Sequence, residues 1–120
     1  DPLTFTYADF SGRGPAEGQE GAAAFKPDLA APGVRITAPE VGGGYAEVTG
    51  TSFAAPFVTG SAALLMEWGI VKGNDPYLYG EKVKAYLRRG ARPLPGEAEY
   101  PNDQVGYGTL CVRGSIPGEK

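Results

Sequence analysis

Residues 50–70 read GTSFAAPFVTGSAALLMEWGI, and the fold of the chain turns on how this stretch is placed. From Ser52 to Ile70 it holds one charged residue, Glu67, and its apolar residues fall on every side of a helical projection. A helix that is apolar all round is a buried helix. A membrane span is the rival reading, but Pro56, Thr59, Gly60 and Ser61 interrupt a run already short for a bilayer. Thr51 or Ser52 suits the N-cap, and Pro56 falls close enough to the start to be tolerated. Gly69 is expected to end the helix, and Gly60, Ala62 and Ala63 leave room for a close backbone approach.

Upstream of this helix, short extended pieces alternate with turns. Leu3, Phe5 and Tyr7 alternate with polar or small residues, which predicts a strand over residues 1–10. Residues 11–22 are Gly-rich and polar and read as a loop. Lys26-Pro27-Asp28 and Ala31-Pro32-Gly33 bracket an extended piece, because a residue before proline avoids the helical region. Val34, Ile36 and Ala38 predict a short strand, Gly42-Gly43-Gly44 a turn, and Tyr45–Thr49 a second extended segment.

Downstream, Asn74-Asp75-Pro76 opens a turn. Gly80–Arg89 predicts a helix with Val83, Tyr86 and Leu87 on one face, Arg88 and Arg89 in the last turn, and Gly90 as its C-cap. Residues 91–104 form a Pro- and acid-rich loop. Tyr107–Val112 reads as a last strand that holds Cys111 as inert core.

The composition narrows the function classes. The 120 residues are 42% hydrophobic, with 11 basic and 14 acidic residues and a net charge of −3. That balance gives no electrostatic footprint for nucleic acid or an anionic membrane, so neither is an expected partner. A single cysteine excludes an internal disulfide. The start, Asp1-Pro2-Leu3-Thr4, lacks both Met and the basic and apolar parts of a signal peptide, which leads us to expect a piece of a longer polypeptide. No repeat or composition shift divides the chain.

The chemistry centres on Ser52. A serine is a weak nucleophile until a neighbouring base takes its proton and donors receive the oxyanion it creates. A helix N-terminus supplies such donors and a partial positive charge. Gly50 ahead of it lets a substrate backbone come close. Position alone favours a simple helix cap. Other candidates are weaker still: Glu97 and Glu99 read as a solvated loop, and Gly42-Gly43-Gly44 lacks the Lys and Ser/Thr of a phosphate loop.

Gly50-Thr51-Ser52-Phe53-Ala54-Ala55-Pro56 resembles the nucleophile motif of the subtilisin-like serine proteases. Phe10-Ser11-Gly12-Arg13-Gly14-Pro15 and Lys26-Pro27-Asp28-Leu29-Ala30-Ala31-Pro32-Gly33 resemble two segments that precede it in that family. Val58–Leu65 resembles the helix after the serine, and Gly106-Tyr107-Gly108 a turn near the end of the domain. The blocks stand in family order and cover nearly the whole chain. YADFSGRGP at residues 7–15, GTSFAAPFVTGSAALLMEWGI and LRRGARPLP at residues 87–95 look most like clostridial members, a branch that includes spore-germination proteases.

The resemblance implies a partial three-layer α/β subtilisin-like fold, with residues 1–120 as the C-terminal segment of one peptidase domain that includes the buried nucleophile helix. It implies that Ser52 is the acyl-forming nucleophile and that its own N–H is an oxyanion donor. Val48, Thr49, Gly50, Thr51 and Phe53 become neighbours of the substrate cleft, with Tyr45–Thr49 and Phe53 on its leaving-group side. The substrate is a peptide or protein. No cofactor or catalytic metal is required, although structural calcium occurs in the family, and an extracellular or spore-associated bacterial location is favoured.

The family order is Asp, then His, then Ser. The chain has no histidine, and no Asn precedes Ser52 to complete an oxyanion hole. Asp9 and Asp28 lie upstream of Ser52, but neither sits in the family's Asp motif. The isolated chain is therefore expected to be inactive, and to self-associate or require the upstream part of its domain. The alternative is a pseudoprotease that binds or regulates a partner.

Overall fold

The computed structural model describes residues 7–14, 26–96 and 99–118. Two strands, β1 (Ile36–Pro39) and β2 (Tyr45–Val48), pair antiparallel with Ile36 opposite Val48 and Pro39 opposite Tyr45. Their connection is the predicted glycine turn. Gly42, Gly43 and Gly44 all have positive φ, near +90°, +98° and +86°, where residues with a Cβ are strained. The Glu40 N–H closes the turn by donating to the Gly44 carbonyl at 3.0 Å.

The hairpin feeds directly into α1 (Thr51–Met66), which continues as a π-helical turn over Glu67–Val71. Gly69 therefore lies inside the helical run and does not end it. A Cβ on Gly69 would meet the Leu78 side chain at 2.8 Å and the Asp75 carbonyl at 2.9 Å, so the glycine lets the following turn close onto the helix. The Asp75 N–H donates to the Gly69 carbonyl, and Asn74 Nδ2 to the Trp68 carbonyl, each at 2.9 Å.

α2 (Glu81–Gly90) presents Val83 and Leu87 to the core and Tyr86 at its margin, as the periodicity predicts. Gly90 has a different role from the expected cap. It is the last helical residue, and a Cβ there would lie 2.4 Å from the Ser115 nitrogen. Its function is to admit α3 (Val112–Ser115) against α2. The expected strand over Tyr107–Val112 is reduced to isolated bridges from Thr109 to Ala30 and Arg92, because the chain turns into α3 at Val112. At the other end, Tyr7–Phe10 form a turn rather than a strand, with the Ser11 N–H on the Ala8 carbonyl at 2.9 Å. The rest of that expected strand, Leu3 and Phe5, lies outside the described residues.

The core is Leu65, Leu78, Val83 and Leu87, flanked by Leu29, Val58, Met66, Trp68 and Leu110. Asp75, whose N–H holds the Gly69 carbonyl, links that end of the first helical run to α2 by accepting from Lys82 Nζ at 2.8 Å and from the Tyr86 hydroxyl at 2.6 Å.

The all-round burial expected of α1 is not reached among the described residues. Only Ser61 and Leu65 of α1 are buried, while Phe57 and Leu64 stand 43% and 54% exposed. Thr51–Val71 is long and apolar enough to cross a membrane by length and composition. It nonetheless packs through Leu65 and Gly69 onto the core, and a helix apolar on its remaining faces needs further cover.

Candidate active site

Ser52 owes its position to two glycines far apart in sequence. Gly50 has φ 154° and ψ 159°, a backbone region open essentially to glycine alone. Its N–H donates to the Gly33 carbonyl at 2.8 Å, and its own carbonyl accepts from the Phe53 N–H at 3.0 Å. A Cβ on Gly33 would meet the Gly50 carbonyl oxygen at 2.9 Å and Ala54 Cβ at 3.1 Å. The Ala31-Pro32-Gly33 segment is thus pressed against the start of α1 and fixes where the helix begins. The motif is visible in sequence, whereas this contact is not.

A second brace comes from the hairpin. Arg35 takes φ 55°, the sole positive φ at a non-glycine among the described residues. From there its N–H donates to Thr49 Oγ1 at 2.9 Å, and its Nε to Glu47 Oε2 at 3.3 Å. Both charged side chains are largely exposed, so the ion pair adds little stability. The Arg35 N–H is what holds Thr49, the residue before Gly50. No sequence signal pointed to Arg35.

The helix start differs from the expected cap. Gly50 is the N-cap, no side chain caps the helix, and Thr51 and Ser52 are its first two helical residues. Ser52 is exposed. The N–H groups of the first turn are left without a side-chain acceptor, and that turn carries no acidic residue. The positive end of the helix dipole is therefore uncompensated, a setting that favours a developing anion. Pro56 has no N–H to offer the Ser52 carbonyl four residues earlier, which loosens the helix at the serine.

The expected cleft residues are contiguous here. Val48 ends β2 half-buried, Thr49 is exposed, and Gly50 and Thr51 lead into Ser52. The Phe53 ring lies against Gly50, 3.5 Å from where a Cβ would project, and is 36% exposed. A large groove of 1660 Å³ opens along α1, lined by Gly50, Thr51, Ala54, Ala55 and Val58 but not by Ser52. The groove and the serine thus lie on different sides of the helix start.

The remaining polar candidates are engaged elsewhere. Asp28 accepts from Lys26 Nζ at 2.8 Å, stands 3.8 Å from Lys84 Nζ, and receives the Tyr107 N–H on its backbone carbonyl. Burial pushes its carboxyl up, but Lys26, Lys84 and Arg88 together outweigh burial and hold it below its ordinary range. It anchors the 26–28 segment to α2. Asp9 is exposed in a turn, Glu99 is exposed, and Glu97 lies outside the described residues.

Cys111 is not strand core. It caps α3, and its Sγ accepts from the Gly114 N–H at 3.3 Å. Burial raises its thiol, and contacts from Arg92 and the Gly114 N–H more than offset that, leaving it below the ordinary range. Among the described residues no group of three or more His, Cys, Asp or Glu could hold a metal ion.

Residues 5–108 match the model of the subtilase family, Peptidase_S8. A structure of the CspB protease from Clostridium perfringens superposes with a TM-score of 0.79 at 47% identity, covering 91% of this chain and 22% of that one. The PII-type proteinase of Lactococcus lactis subsp. cremoris is 39% identical over 106 residues, which are 88% of this chain and 5% of that protein. The minor extracellular protease Vpr of Bacillus subtilis is 33% identical over 118 residues, covering 91% of this chain and 13% of Vpr. The chain thus spans only a small fraction of the length of these relatives.

Proposed function

The chain belongs to the subtilase family and carries part of its α/β fold, and from that premise we propose that it is the C-terminal segment of a serine endopeptidase domain in which Ser52 is the nucleophile. The observation that carries the proposal is the uncapped, acid-free start of α1, with exposed Ser52 as its second residue. Nothing in the helix needs a serine there, since the capping place is taken by Gly50.

In this reading Ser52 Oγ bonds to the scissile carbonyl carbon, and the negative charge moves onto the carbonyl oxygen, where the Ser52 N–H receives it. The carbon–nitrogen bond then breaks, leaving an acyl-enzyme. The proton lost by Ser52 passes through a base to the leaving amine, and water later releases the acyl group. With no histidine, the chain does not hold that base, so its 120 residues alone do not turn over. The substrate is a peptide or protein, its leaving-group side running past Val48, Thr49 and Phe53. No cofactor takes part.

The 47% identity to a clostridial protease supports placement in that branch, with the germination role the sequence resemblance implies. The name of Vpr supports an extracellular location.

Labelling the parent protein with a serine-directed fluorophosphonate tests the proposal. The expected result is one adduct on Ser52, absent in Ser52→Ala and absent from the 120-residue chain alone. A mature parent that leaves Ser52 unlabelled refutes it, in favour of a binding protein on the same scaffold.

A further inference from the structure

The pairing of β1 with β2 does not continue in register to the start of α1. Extended regularly from Ile36 opposite Val48, it would set Arg35 opposite Thr49 and Val34 opposite Gly50. Instead the Gly50 N–H reaches the Gly33 carbonyl at 2.8 Å, one residue further upstream. Gly33–Ile36 thus face Val48–Gly50, so one side of the ladder carries an extra residue, which is the definition of a β-bulge. Arg35 absorbs the mismatch. Its φ of 55° is the left-handed conformation of the first residue in one bulge class, where glycine is usual because a Cβ is disfavoured.

Backbone strain of this kind persists only where the surroundings fix it, and it gathers at functional sites. The fixing contact here is the Arg35 N–H on Thr49 Oγ1 at 2.9 Å, in which a side-chain oxygen takes the place of a ladder carbonyl. What the bulge controls lies just beyond Thr49. Gly50 has no Cβ and would by itself let α1 swing against the hairpin. The far end of α1 is anchored through Leu65 in the core. At the near end, bonds from the 33–35 segment to Gly50 and to Thr49 set the direction of the peptide units that lead to Ser52.

We propose that Arg35 is a positioning residue for the reaction at Ser52. Through its left-handed backbone and its bond to Thr49 Oγ1, it sets the angle at which Ser52 Oγ and the Ser52 N–H meet the reacting centre. The inference rests on the reading of Ser52 as the nucleophile. Arg35 acts through Thr49 and Gly50, and its guanidinium charge takes no part. A small misalignment of reacting groups costs rate steeply while leaving binding nearly intact.

The test is saturation kinetics of fluorophosphonate labelling in the parent protein. In that reaction Ser52 Oγ bonds to phosphorus, fluoride leaves, and the serine proton passes to the base. The maximal labelling rate and the half-saturating probe concentration are read separately. Thr49→Val keeps the side-chain shape and deletes the acceptor. It should lower the maximal rate roughly tenfold and move half-saturation by no more than about twofold. Thr49→Ser restores a hydroxyl and should recover most of that loss. At Arg35, glycine keeps the left-handed backbone and the N–H, whereas a β-branched valine resists that conformation. Arg35→Val should therefore lose roughly tenfold in maximal rate, and Arg35→Gly far less. Val41→Lys, at the exposed hairpin tip, should label like the wild type.

Equal maximal rates in the wild type, Thr49→Val and Arg35→Val, with matching circular dichroism, overturn the proposal. So does a Thr49→Ser as slow as Thr49→Val, a change confined to half-saturation, or an Arg35→Gly as slow as Arg35→Val, which would place the effect in the charge. A wild-type parent that labels at Ser52 while the variants label equally refutes the positioning role alone. A parent that never labels refutes both readings.

Discussion

Replacing Ser52 by Ala separates a structural serine from one kept for chemistry, because the two roles predict opposite signs. If Ser52 were the N-cap, Ser52→Ala would cost about 0.5–2 kcal/mol by leaving a first-turn N–H unsatisfied. In the structure Gly50 is the cap, no side chain bonds the first turn, and Ser52 is exposed inside the helix. No capping bond is then lost, and alanine gains its higher helix propensity, about 0.5 kcal/mol. Ser52→Ala should therefore raise stability slightly, shifting the melting temperature up by about 2–4 °C for a domain of this size. Urea unfolding of the peptidase domain in the parent protein, followed by far-UV circular dichroism, reads the change as a higher midpoint at unchanged slope. A loss of about 1 kcal/mol or more would refute the reasoning and return Ser52 to a capping role. A gain fits a residue retained at some expense to stability, as functional residues commonly are.

Two glycines in helices should respond oppositely to alanine. Gly60 has open space around it, so Gly60→Ala should stabilise by about 0.5–1 kcal/mol, whereas Gly90→Ala drives a Cβ into the Ser115 backbone and should destabilise by about 1–3 kcal/mol, both readable by thermal melts. The Asp75–Lys82–Tyr86 network sets a pH window. Hydrogen bonds from Lys82 and Tyr86 hold the Asp75 carboxyl below its ordinary range, so its contribution is full above about pH 5 and is lost as pH falls through the lowered folded value. The Asp75 hydrogen bond raises both Lys82 and Tyr86, so their contributions are full below about pH 9 and fade as pH rises through the raised values. Asp75→Asn should lower the urea midpoint across that window, and its gap from the wild type should start to narrow only as pH falls below about pH 4 and continue to narrow through the lowered folded value; a constant gap down to acid pH would count against the network.

Sequence patterning alone located the central helix, the glycine turn and the Val83–Leu87 face of α2, because each rests on local periodicity or on a backbone conformation that few residues adopt. It singled out Ser52 through a run of motif residues, and the missing histidine set the limit on what the chain can do by itself. Roles that depend on what arrives from elsewhere in the chain were out of its reach. Gly69 and Gly90 read as helix ends, yet they admit Leu78 and Ser115, partners 9 and 25 positions away. Gly33 locks Gly50 by a hydrogen bond between segments that share no periodicity. The all-apolar pattern of α1 announced burial, but only the tertiary structure shows that most of its surface is left bare by the described residues. A hydrophobic pattern records that a face is to be covered, and contacts alone decide by what.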